Sequence, residues 1–145
     1  MTGANSLSPQ RFVLDSYAVI AFLEGEPGKG HVQKLFQTAL EAKCELFISV
    51  INYGEIIYLA EREKGLAKAQ EVIARLDELP LKIIDAGRLC TVTAAHIKAR
   101  YPIAYADCFA AAVAVILDAH LVTGDPEFKP LEAAHVLAID WLNTA

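Results

Sequence analysis

No stretch of this chain is long enough to cross a bilayer as a helix. Its longest uncharged apolar run, residues 109–117, is less than half of the roughly 20 residues that a span requires. The N-terminus carries no basic segment followed by an apolar one, so no secretory leader is indicated and the expected place of action is the cytoplasm. Cysteine is scarce: Cys44, Cys90 and Cys108 are odd in number, widely spaced and set among apolar or small residues. Neither a disulfide framework nor a zinc site is indicated, and the three are expected to be reduced packing residues. The four histidines, His31, His96, His120 and His135, have no ligand spacing either. Positive charge is the remaining shortage. With 13 Lys and Arg against 18 Asp and Glu, the net charge is −5, which argues against broad electrostatic attraction to nucleic acid.

What the chain has is apolar content, 54% of 145 residues, with a mean hydropathy of +0.33. The length suits one domain with a core of its own, and the surplus over the usual roughly 45–50% suggests that some surface meets another chain. Residues 1–10 are polar, rich in Ser, Gly, Asn and Pro, and are expected to form a loose tail, with the fold running over 11–145. Short apolar, partly β-branched runs at 11–14, 45–50, 81–84, 120–123 and 134–139 read as strands. Between them, helical spacing recurs at Phe109, Ala112, Val113, Ile116 and Leu117, and at Val72, Ile73, Leu76 and Leu79. Further helices are predicted over about 17–23, 29–42, 51–64 and 88–99, punctuated by Gly25, Gly65, Pro80, Gly87 and Pro102. Strands alternating with helices give an α/β fold: a central parallel sheet of about five strands with helices on both faces.

That topology brings together acids that the sequence keeps apart. Asp15 directly follows the first strand and Asp125 lies two residues beyond the fourth, so both stand at the carboxyl ends of parallel strands, where open α/β sheets bind ligands. Glu55 is one turn into the helix leaving the second strand, only about 6 Å from that edge. Asp107 opens the helix that leads back into the fourth strand, which puts it level with the same edge. Taken singly, each has an ordinary explanation as a helix-capping, turn or solvated residue. Asp77, Asp85, Asp118 and Asp140 do not map to this edge by the same reasoning. Converging carboxylates raise one another's pKa, a cost that a cation offsets, and the all-oxygen set suits a hard divalent ion such as Mg²⁺ or Mn²⁺.

The stretches FVLDS (12–16), the helix acid Glu55, YPIAYADCFA (101–110) and VTGDPEF (122–128) together resemble the acidic motifs of PIN-domain ribonucleases, and among them the VapC-type toxins of toxin–antitoxin pairs. The likeness covers about residue 11 to the end. It implies a metal-dependent endoribonuclease that hydrolyses RNA to 5′-phosphate ends and is held inactive by a small antitoxin protein. On this resemblance Asp15 and Asp107 would be direct metal ligands, with Asp125 direct or through water, and Glu55 would orient or deprotonate the nucleophile or bind a second metal. Ser16, where members often carry Asn or Thr, and Thr123 would orient the carboxylates by hydrogen bonds.

Lys98 and Arg100, just before the Asp107 helix, are the candidate phosphate contacts, and Tyr101 and Tyr105 either stack on a base or fill core. Surplus apolar surface fits a homodimer together with an antitoxin groove, and Gly54, inside a helix beside Glu55, suggests a close backbone approach. The alternative is a catalytically silent PIN-like scaffold, which usually lacks one or more of these acids. A signalling receiver domain would need a Lys ending the fifth strand, and Ile139-Asp140-Trp141 supplies none.

Overall fold

The computed structural model describes residues 8–144. Five parallel strands, β1 (Gln10–Leu14), β2 (Cys44–Ser49), β3 (Lys82–Ile84), β4 (His120–Thr123) and β5 (Ile139–Trp141), form one sheet in the order β3-β2-β1-β4-β5. The chain starts at the centre, winds outward through β2 and β3, and returns to build β4 and β5 on the other side. The direction of winding reverses between β1 and β4, and at such a point the loops leaving two neighbouring strands part and open a crevice at their carboxyl ends.

Seven helices connect and cover the strands: α1 (Ser16–Glu24), α2 (Lys29–Leu40), α3 (Val50–Lys64), α4 (Leu66–Glu78), α5 (Arg88–Arg100), α6 (Tyr105–Leu117) and α7 (Lys129–Ala133). Side chains alternate across each strand, and the alternation divides the core. Val13, Phe47 and Leu121 point to one face, where they pack with Ala94, Ile97 and the α6 residues Phe109–Ala114. Leu14, Leu46, Ile48 and Val122 point to the other and meet Ala18, Val19, Val32, Phe36, Ile56, Val72 and Leu76. Helix α6 is buried from Cys108 through Ala114, and its four alanines there let it lie close to the sheet. A helix apolar on every side belongs in the interior. No single described helix is long and apolar enough to cross a membrane.

The strand expected over 134–139 starts later, at Ile139, and the physical reason is local. Helix α7 ends in a Schellman arrangement: the Val136 N–H bonds to the Leu131 carbonyl at 2.9 Å and the His135 N–H to that of Glu132 at 3.0 Å. His135 takes the left-handed conformation, φ 58°, that this motif asks for and that glycine usually supplies. The apolar residues Val136 and Leu137 therefore pack on the core from a helix cap rather than from a strand. At the other end β1 takes in Gln10, one residue earlier than expected; residues 1–7 of the predicted tail lie outside the described residues. A Cβ on Gly54 would meet nothing within 4 Å, so among the described residues none supplies the close approach inferred there. The three cysteines are buried and free.

Candidate metal centre

Asp15 closes β1 and caps α1. It is 1% exposed, and both of its oxygens are engaged: Oδ1 accepts from the Ala18 N–H at 2.8 Å and Oδ2 from the Thr123 hydroxyl at 2.5 Å. The second bond ties the end of β1 to the end of β4 across the switch point. Thr123 Oγ1 in turn accepts from the Asp125 N–H at 3.0 Å, which sets the start of the next turn. Burial pushes the Asp15 carboxyl up to about 7; the Thr123 and Ala18 hydrogen bonds pull it down, and Asp107 and Asp125 push it further up.

Asp107 sits in the first turn of α6, half-buried. Its carboxyl is raised to about 6, first by burial and then by the charges of Asp125, Glu55 and Glu127. Asp125 caps the short 3-10 turn Pro126–Phe128, its Oδ1 accepting from the Glu127 N–H at 2.9 Å. That turn swings Glu127 back toward the crevice. Asp107, Asp125 and Glu127 can each present one carboxylate oxygen with all three oxygens within 4.8 Å of one another.

Glu55 approaches from α3. Its Oε1 accepts the Ser16 hydroxyl at 2.5 Å and the Asn52 amide at 3.4 Å. The same Asn52 Nδ2 donates to the Ala106 carbonyl at 3.3 Å, linking α3 to the turn that carries Asp107. Asn52 is fully buried, and its Oδ1 has no hydrogen-bond partner.

The crevice thus gathers Asp15, Glu55, Asp107 and Asp125, with the Ser16 and Thr123 hydroxyls each donating to a carboxylate. Lys98 and Arg100 are turned to other contacts: Lys98 Nζ donates to the Ile103 carbonyl at 2.7 Å and Arg100 to that of His96 at 3.0 Å. Two residues of the crevice escaped the sequence reading. Glu127 lies in the VTGDPEF stretch, but only the turn capped by Asp125 brings it beside Asp107. Asn52 carries no sequence signal beyond its place one turn before Glu55.

The donor set fits a hard divalent cation. Among the described residues the close trio is all carboxylate oxygen, which suits Mg²⁺ or Mn²⁺ rather than zinc. Every charge that shifts Asp15 or Asp107 is itself acidic, and among the described residues no Lys, Arg or His forms an ion pair with the cluster.

Compared with family models, residues 12–133 match the PIN domain. No match is found among curated proteins. Among solved structures, the chain is similar to VapBC2 from Rickettsia felis bound to a DNA fragment from its promoter, with TM-score 0.74 and 20% identity over 91% of this chain and 98% of that one. DNA-bound VapBC from Salmonella typhimurium gives TM-score 0.73 and 21% identity over 92% and 98%. VapC20 of Mycobacterium tuberculosis, a toxin that cleaves the sarcin–ricin loop, gives 0.60 and 17% over 82% and 93%. At these identities the likeness is one of fold.

Proposed function

This chain belongs to the PIN-domain family, and from that footing we propose that it is a metal-dependent endoribonuclease, the toxin of a toxin–antitoxin pair. The observation that carries the reading is the uncompensated carboxylate cluster: three carboxylates close enough to share one ion, two of the crevice acids driven up to about 7 and about 6, and only acids among the charges acting on them. A fold that needed no cation would gain by replacing one of these groups. Solved structures of similar fold are VapBC pairs, which supports a cognate antitoxin as partner. The toxin that cleaves the sarcin–ricin loop supports RNA as substrate and, with it, action in the cytoplasm. The apolar surplus of the sequence supports a homodimer.

Asp107, Asp125 and Glu127 would hold Mg²⁺ or Mn²⁺. Bound there, the ion supplies positive charge against the phosphodiester oxygens and makes a water more acidic. Asp15, which ties the ends of β1 and β4 together through Thr123 and feels the charges of Asp107 and Asp125, would join them as a ligand. Ser16 and Asn52 hold Glu55 by Oε1, leaving Oε2 without a hydrogen-bond partner among the described residues. Glu55 then takes the proton of the attacking water. The water oxygen bonds to phosphorus, the ribose 3′ oxygen leaves and takes up a proton, and the products are a 5′-phosphate and a 3′-hydroxyl. Lys98 and Arg100 would reach the phosphates only by giving up their present carbonyl contacts.

The test is the chemistry of the cut ends together with growth. Expression of the chain alone should arrest growth and leave RNA fragments that accept an adaptor requiring a 5′-phosphate; the Asp107→Asn variant should do neither. Fragments ending in a 2′,3′-cyclic phosphate, or arrest that survives Asp107→Asn, would refute the mechanism.

A further inference from the structure

Tyr17 is 45% exposed and stands in the first turn of α1, two residues after Asp15. Its ring rests on the backbone of Gly124, the residue between Thr123 and Asp125. A Cβ at position 124 would run into the ring at Cε1 and Cζ. The backbone of Gly124 lies outside the left-handed region, so its conformation does not ask for glycine; the ring above it does. The phenol has no hydrogen-bond partner among the described residues. A large aromatic surface thus lies beside the acids, with one side against Gly124 and the other open.

The charges around the crevice say what such a surface is needed for. Those acting on Asp15 and Asp107 are all negative, and Lys98 and Arg100 are bonded to carbonyls. Apart from the ion proposed above, side chains offer phosphates little attraction here. Stacking is the other source of nucleic-acid affinity, and it needs a base that is not already stacked in a duplex. Building on the nuclease reading above, we infer that Tyr17 is a substrate-binding residue whose ring stacks on an unpaired nucleobase next to the scissile phosphate.

The test measures affinity apart from cleavage. In a Glu55→Gln background, which removes the proton acceptor but keeps the proposed metal trio, with Mn²⁺ present, binding of a short fluorescent single-stranded RNA of mixed sequence is followed by anisotropy across a salt series. Tyr17→Leu should weaken binding about 5- to 150-fold, the range of one lost base–aromatic stack, with an unchanged slope against salt. Tyr17→Phe, which keeps the ring, should stay within about 2-fold on the same ground. Gly124→Ala, which displaces the ring without removing it, should weaken binding as Tyr17→Leu does. A duplex of the same sequence should bind the Tyr17 variants alike.

Unchanged affinity in Tyr17→Leu, a flattened salt slope, loss in Tyr17→Phe as well, or no binding by the parent would each overturn the inference. Binding that depends on Tyr17 without any cleavage by the unsubstituted protein would count against the nuclease reading alone. Cleavage that is indifferent to Tyr17 would count against this inference alone.

Discussion

Asp15 combines two duties that pull its carboxyl in opposite directions. Burial favours the protonated form, while the hydrogen bonds from Thr123 and Ala18 favour the charged one, and burial wins. Asp15 at about 7 and Asp107 at about 6 both lie above the usual 3.8. Between about pH 4 and 7 the folded chain therefore binds more protons than the unfolded chain, and the sign follows from linkage. The stability this pair contributes is full below about pH 4 and is lost as pH rises through about 7. Chemical denaturation of the metal-free protein should show its midpoint falling across that window, and a midpoint that rises would contradict the electrostatic picture. Asp107→Asn removes one repelling charge, so the metal-free variant should melt at or above the parent temperature and show a flatter pH dependence. A loss of several degrees would instead make Asp107 a structural helix acid. Thr123→Val leaves Asp15 Oδ2 buried without its donor and should cost about 1–3 kcal/mol, read by denaturant titration at neutral pH.

At the scale of elements, β1, β2, β3, β4 and six of the helices could be read from the sequence, because their apolar spacing and their Gly and Pro boundaries agree. The last strand could not. Its apolar run from Ala134 to Ile139 satisfies a strand pattern, yet the first half is claimed by the Schellman cap of α7, where His135 stands in the position glycine would fill. His135 is exposed, so His135→Gly should raise stability by up to about 1 kcal/mol in a thermal melt, by removing the left-handed strain of a β-carbon; a decrease would mean that its side chain makes a contact of value.

The crevice was partly readable for a related reason. Strand ends and helix starts have fixed places in a parallel α/β sheet, which is why Asp15, Glu55, Asp107 and Asp125 could be brought to one edge from topology alone. Glu127 depends on the turn that Asp125 caps, and Asn52 on a hydrogen bond between α3 and the α6 entry; neither follows from periodicity.

For the whole molecule, the five-strand sheet with its switch point between β1 and β4 is a scaffold that holds negative charge at one end. Metal should then act as a missing structural part. Mn²⁺ at about 100 times its dissociation constant should stabilise the protein by about 2.7 kcal/mol. At a fixed Mn²⁺ concentration the gain should be larger near pH 8 than near pH 5, because protons compete for the same carboxylates. Equal stabilisation of Asp107→Asn would place the ion elsewhere. The measurement that bears most directly on the proposed activity is cleavage of a mixed RNA pool by purified, partner-free protein with Mg²⁺ or Mn²⁺, compared with EDTA and with Asp15→Ala and Asp107→Asn. Cutting that needs the metal and is lost in both variants is the expected result. A folded, partner-free protein that cuts no RNA with either metal would contradict the account and leave the chain a PIN-domain scaffold.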